Sequence, residues 1–122
     1  MGKMIVVDTD VLIELMKGAE DLPEEPMAIT TITLYEFLRG ARDMDTAASI
    51  LTENFVVLTE TPESIKISAR IWQDLKKEGA IVPDADIIIA GIAIANRLPL
   101  WTRNRKHFER FRRYGLIPYE EH

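Results

Sequence analysis

The chain has 122 residues, 47% of them hydrophobic, which is one domain's worth and enough for a single core. It has no cysteine, which excludes a disulfide framework, thiolate metal sites and a cysteine nucleophile and fits a reducing cytoplasm. The formal charge of −5 speaks against a uniformly basic nucleic-acid binder, but from Arg103 to Tyr114 six basic residues face one acid, Glu109, so that stretch carries +5 on a body carrying −10.

Met4 to Val7 reads as a strand, and it reaches Asp8 after four apolar residues, too few for a signal-peptide core or a membrane span, so a soluble protein is expected. Thr9 to Met16 is a helix stopped by Gly18. Met27 to Thr30 is a second strand, followed by a helix from Leu34 to Arg39 ending at Gly40 and another from Met44 to Glu53. Phe55 to Leu58 is a third strand. From Pro62 to Glu78, Ile65, Ala69, Trp72 and Leu75 recur at three- and four-residue steps, which predicts a long amphipathic helix closed by Gly79, with Trp72 in the core. The β-branched run Ile87 to Ala95 is too long for an ordinary strand. Asp84 and Asp86 complement the first turn of a helix there, and the small residues Ala90, Gly91, Ala93 and Ala95 allow that helix to pack closely on a sheet. Leu98 to Thr102 gives a fourth strand and Leu116 to Ile117 a short fifth. Strands alternating with helices predict one domain over residues 1–122, a three-layer α/β/α sandwich around a mostly parallel sheet of four or five strands.

In such sheets ligands bind beyond the carboxyl ends of the strands. Asp8 follows the first strand, Glu36 lies one turn into the helix after the second, Asp86 opens the helix leading to the fourth, and Thr102 and Asn104 follow that strand. Carboxylates brought together there repel unless they share a cation or a proton, and hard oxygen donors suit Mg²⁺ or Mn²⁺. Singly, most have a structural reading. Thr33-Leu34-Tyr35-Glu36 matches a capping box, Asp10 and Asp84 are placed to cap helices, and Asp86 could serve the helix dipole alone. Asp8, at the end of a strand of Ile and Val, has no evident capping duty.

Four segments together resemble the successive motifs of VapC-like PIN domains: Ile5-Val6-Val7-Asp8-Thr9-Asp10-Val11-Leu12, the Thr33-x-x-Glu36 step, Pro83-Asp84-Ala85-Asp86-Ile87-Ile88-Ile89-Ala90, and Leu98-Pro99-Leu100-Trp101-Thr102-Arg103-Asn104 followed by Phe108. The resemblance implies a Mg²⁺- or Mn²⁺-dependent endoribonuclease, commonly dimeric, inhibited by a VapB-type antitoxin. Carried over by position, Asp8, Glu36 and Asp86 are the acidic metal-site residues. Asn104 stands among the catalytic positions where many members have a further acid, a departure that lowers the site's charge and leaves open whether one or two metals bind, or whether Asp84 compensates. His107 also stands near Phe108 where an acid is frequent, and is read as a surface residue.

With histidine only at 107 and 122, metal-activated water is the favoured chemistry, and Arg103, Arg105, Lys106 and Arg110 are the expected contacts to the RNA backbone. Two rivals stand beside this reading. Asp8-Thr9-Asp10-Val11 also resembles the haloacid-dehalogenase phosphatase motif, with Asp8 as nucleophile and Asp10 as general acid, and a regulatory module could bind metal or nucleic acid without cleaving it.

Overall fold

Burial along the first strand sets the layers. Val6 points into one apolar cluster with Ile71, Ile89, Ala93, Leu100 and Phe108, whereas Ile5 and Val7 point into another with Leu12, Ile29, Leu51 and Trp101. Side chains alternate across a strand, so two clusters on one three-residue strand mean a sheet covered on both faces. The computed structural model describes residues 4–18 and 21–120.

The elements run β1 (Ile5–Val7), α1 (Thr9–Met16), β2 (Met27–Thr30), α2 (Thr31–Leu38), α3 (Met44–Asn54), β3 (Val56–Leu58), α4 (Pro62–Glu78), α5 (Asp84–Asn96), β4 (Pro99–Trp101), α6 (Arg105–Glu109) and β5 (Ile117–Pro118), with a 3₁₀ turn over Arg112–Tyr114. The strands form one sheet in the order β3-β2-β1-β4-β5. Every pairing is parallel, with Val6 opposite both Ala28 of β2 and Leu100 of β4. The expected sandwich is therefore present with five strands. Two short elements between β4 and β5, α6 and the 3₁₀ turn, lie in the basic stretch, where the sequence reading placed no helix.

Four local expectations change. Helix α2 begins at Thr31 because Thr30 caps it, its hydroxyl accepting from the Thr33 amide at 3.1 Å. Pro83, not Asp84, occupies the N-cap of α5. On α4 the buried residues are Ser64, Ser68, Ile71 and Leu75, while Ile65 is 45% and Trp72 47% exposed. Lys76 Nζ lies over the Trp72 ring, 5.1 Å from its centroid. The two serines displace the larger residues because α4 and α5 approach closely: a Cβ on Gly91 would stand 2.0 Å from Ser68 Oγ and 2.6 Å from the Ser64 carbonyl oxygen. Ser68 Oγ donates to the Ile87 carbonyl at 2.9 Å, satisfying its buried hydroxyl. Gly91 thus serves a helix–helix contact, where a sheet contact was expected.

Gly79 closes α4 in the left-handed conformation at φ 70°, as the sequence predicts. Among the described residues, no helix is long and apolar enough to cross a membrane.

The Gly91 contact yields a first prediction. Gly91→Ala should destabilise the protein by about 1–3 kcal/mol, the usual cost of overpacking, despite alanine's better helix propensity. Urea unfolding measures this; an alanine variant as stable as the parent would show that α4 and α5 can separate freely.

Candidate active site

From β1 the chain moves to β2 and β3 on one side of the sheet and later returns to β4 on the other. The carboxyl ends of β1 and β4 therefore flank the crevice where the sheet's winding reverses. Asp8 follows β1 and Thr102 follows β4, and the two segments are tied by a hydrogen bond from the Asp8 amide to the Trp101 carbonyl at 2.9 Å. Thr102 Oγ1 donates to Asp8 Oδ2 at 2.7 Å, and the Thr9 amide donates to Asp8 Oδ1 at 2.8 Å. Asp8 is thus the N-cap of α1, a duty the sequence reading did not grant it and assigned to Asp10. Asp10 instead sits in the first turn, its Oδ1 accepting from the Val11 amide at 2.7 Å and its Oδ2 from the Arg103 amide at 3.3 Å.

Asp8 is 5% exposed. Loss of water raises its pKa from 3.8 to about 6; the Thr102 and Thr9 bonds oppose the rise, and the charges of Asp10 and Asp86 add to it. Burial also raises Asp10, against the pull of its backbone bonds. A carboxylate that is both dry and surrounded by like charge is where a cation gives the largest relief.

Glu36 enters from α2. The capping box expected for it does not form, because Thr30 rather than Thr33 precedes the helix. Its Oε1 accepts from Thr9 Oγ1 at 2.7 Å, and that hydroxyl also lies 3.1 Å from Thr33 Oγ1. Thr9, adjacent to Asp8 in the chain, therefore connects two of the candidate ligands.

Asp86, in the first turn of α5, is met by a residue that the sequence reading set aside. His107 Nδ1 stands 2.9 Å from Asp86 Oδ2 and 2.8 Å from Asn104 Nδ2. The Asn104 backbone N–H in turn donates to Thr102 Oγ1 at 3.0 Å. A continuous polar path thus runs from Asp8 through Thr102 and Asn104 to His107 and Asp86. The signal available in sequence was the i,i+3 spacing of Asn104 and His107, which only the helical turn of α6 makes meaningful. Asp84, the first residue of α5, makes no side-chain cap.

The basic segment is divided. Arg103 pairs with Glu14 at 2.8 Å, Arg112 with Glu109 at 3.2 Å and Arg113 with Glu78 at 2.5 Å. Arg105, Lys106 and Arg110 are exposed and, among the described residues, make no ion pair.

Among the described residues, no three acidic or histidine side chains form a ready metal cage. The donor set nevertheless fits a hard divalent ion: Asp8 and Asp86 repel at the same crevice, Glu36 is tethered beside them through Thr9, and all are oxygen donors.

The raised Asp8 pKa gives a second prediction for metal-free protein. The neutral acid is favoured by the fold, so this contribution is full below 3.8 and is lost as pH rises through about 6. A rise from 3.8 to about 6 corresponds to roughly 3 kcal/mol. Asp8→Asn should therefore be more stable than the parent at pH 7 in chelator, by up to that amount, with the gap closing toward pH 4. Thermal melts across this range test it; a gap independent of pH would mean that Asp8 is not a strained carboxylate.

Comparison with known proteins agrees with this geometry. The PIN-domain family profile matches residues 5–114. The chain is 40% identical over 121 residues to Ribonuclease VapC1 of Methanocaldococcus jannaschii, covering 96% of this chain and 88% of that protein. Among solved structures it is similar to a chain of VapBC-1 from nontypeable Haemophilus influenzae, with a TM-score of 0.79 and 25% identity over 96% of this chain and 97% of that one. It also superposes on a chain of VapBC2 from Rickettsia felis, bound to a DNA fragment from their promoter, with a TM-score of 0.80 and 20% identity over 98% and 99% of the two chains, a likeness of fold. Matched over nearly its whole length by profile and by sequence, the chain belongs to the PIN-domain family, among its VapC-like members.

Proposed function

We propose that this protein is a divalent-metal-dependent endoribonuclease, the toxin of a toxin–antitoxin pair, acting in the cytoplasm. The observation that carries the reading is the buried Asp8 carboxylate at the crevice between β1 and β4, with the charges of Asp10 and Asp86 raising its proton affinity. The VapC1 relative is named a ribonuclease, and a similar solved structure is described as a toxin–antitoxin complex.

Asp8, Asp86 and Glu36 would hold Mg²⁺ or Mn²⁺. Bound there, the ion supplies an acidified water and neutralises charge developing on a phosphodiester. The protein's own contribution is placement. Thr102 and the Thr9 amide lock both oxygens of Asp8, Thr9 Oγ1 steers Glu36, and Asn104 and His107 set the orientation of Asp86. Partners of this kind, one shell out, hold ligands in the geometry that catalysis requires. With both its oxygens engaged and the residue out of water, Asp8 is poorly presented as a covalent nucleophile, which disfavours the phosphatase reading.

Arg105, Lys106 and Arg110 directly follow the site and keep their charge available for an RNA backbone, while Arg103 would contribute from its pairing with Glu14. Exposed apolar side chains mark surfaces for protein partners: Ile13, Met16 and Tyr35 on α1 and α2, and Ile65 and Trp72 on α4. A second copy and a VapB-type antitoxin are the partners this reading assigns to them.

Purified protein should cleave single-stranded RNA in Mg²⁺ or Mn²⁺ and lose the activity in EDTA. Asp8→Asn or Asp86→Asn should each reduce turnover by more than about 100-fold, since even outer partners of metal ligands are worth about 10–100-fold. Cleavage that persists in EDTA, or full activity in both variants, would remove the site.

Binding to RNA gives a separate prediction. In a catalytically dead Asp8→Asn background, replacing Arg105 and Lys106 with Ala should weaken many RNAs alike and flatten the log-log salt dependence by about 0.7 per lost phosphate contact. An unchanged slope would place the RNA elsewhere.

A further inference from the structure

We propose that the cavity between β4, α6 and β5 is a base subsite, taking one unpaired pyrimidine of the RNA next to the phosphodiester that is cleaved. The inference rests on the nuclease reading above and names the nucleotide that this site prefers.

The cavity measures about 160 Å³ and lies beyond β4, on the side away from β1. Its walls are Leu100 of β4, Phe108 of α6, and Leu116, Pro118 and Tyr119 at and around β5. Leu100, Phe108 and Leu116 belong to one core cluster, so packing fixes the shape of these walls. The rim is formed by Arg105, Glu109, Arg112 and Glu120, all exposed, so the cavity opens to solvent. Thr102 also lines it, with a hydroxyl already engaged by Asp8 and by the Asn104 backbone N–H. One residue thus borders both the cavity and the buried carboxylate, and a group bound here is a neighbour of the crevice.

Size and charge select the occupant. An apolar cavity of about 150 Å³ accommodates benzene. At about 160 Å³ this one has room for a single ring with its exocyclic atoms, whereas the second ring of a purine would have to displace core side chains. The rim carries two arginines and two glutamates, and Arg112 is paired with Glu109 at 3.2 Å. A phosphate drawn into this mouth would meet both carboxylates. A neutral ring meets apolar walls, the aromatic rings of Phe108 and Tyr119 and the guanidinium planes, which are the surfaces on which unstacked RNA bases are held. Arg105, which makes no ion pair among the described residues, stands at the rim to take the phosphate of the same nucleotide.

The test uses the full chain in two assays. In chelator, methyl NMR should show the Leu100 and Leu116 resonances shifting with millimolar cytidine or uridine monophosphate and staying in place with adenosine monophosphate. Leu116→Phe, which fills the cavity, should abolish the shift at Leu100. In Mg²⁺ or Mn²⁺, cuts in RNA of mixed sequence should favour sites next to a pyrimidine by about 10-fold, the order of what stacking of one base contributes. Leu116→Phe should bring that preference close to parity, and Arg112→Met, an exposed position where folding is not at stake, should reduce it. Equal shifts with purine and pyrimidine nucleotides, or a cleavage preference unchanged in both variants, would overturn the proposal. Shifts with neither nucleotide would also overturn it and leave the cavity to an apolar side chain of a protein partner. Pyrimidine binding by a protein that cleaves no RNA would sustain the subsite while refuting the nuclease reading, and cleavage without pyrimidine preference would do the opposite.

Discussion

Asp8 is carried out of water by the strand it terminates, and removing a carboxylate from water costs several kcal/mol even after relaxation. Parallel pairing of β1 with β4 makes the placement possible, because it aligns the carboxyl ends of two strands that are far apart in sequence and puts the Thr102 hydroxyl 2.7 Å from Asp8 Oδ2. The Thr9 amide takes the other oxygen. The cost is only partly offset by these bonds, as the residual rise of the Asp8 pKa to about 6 records. A fold that tolerates such a residue concentrates unrelieved negative charge at one place, and the remaining polar elements of the crevice are arranged around it.

The second support of the site is the close contact between α4 and α5. Gly91 lets the two helices meet, and Ser68 satisfies the Ile87 carbonyl across that contact. This packing buries Ile87, in the first turn of α5 next to Asp86, in the same core cluster as Val6 of β1. The partner of Asp86, His107, comes from α6, a five-residue helix anchored by buried Phe108. Apolar packing thus determines where polar side chains meet, and the chemistry follows from that placement.

Electrostatics in this molecule are local. An acidic body with one basic stretch looks in sequence like two opposed surfaces, but Glu14, Glu109 and Glu78 neutralise half of the six cations in that stretch. Among the described residues, the cations of that stretch that make no ion pair are Arg105, Lys106 and Arg110, so its unpaired charge is narrower than the sequence total suggests.

What the sequence by itself determined is what depends on periodicity and on a residue's immediate neighbours. The alternation of β-branched runs with helical patterns yielded the sandwich and Gly79 closed α4; Asp8 at the end of the first strand, Glu36 in the helix after the second and Asp86 at the head of the helix leading to the fourth were candidates on position alone, because ligands bind beyond strand ends in parallel sheets. The tertiary structure alone decided pairings between distant segments. Thr30 rather than Thr33 caps α2, which releases Glu36 to Thr9; the serine face rather than the tryptophan face of α4 is buried, because Gly91 lies opposite it; and His107 meets Asp86 across 21 positions. Hydrophobicity and capping preference are properties of a window of residues, whereas these contacts depend on which surfaces pack together, and that is settled only when the whole sheet and its two helical layers assemble.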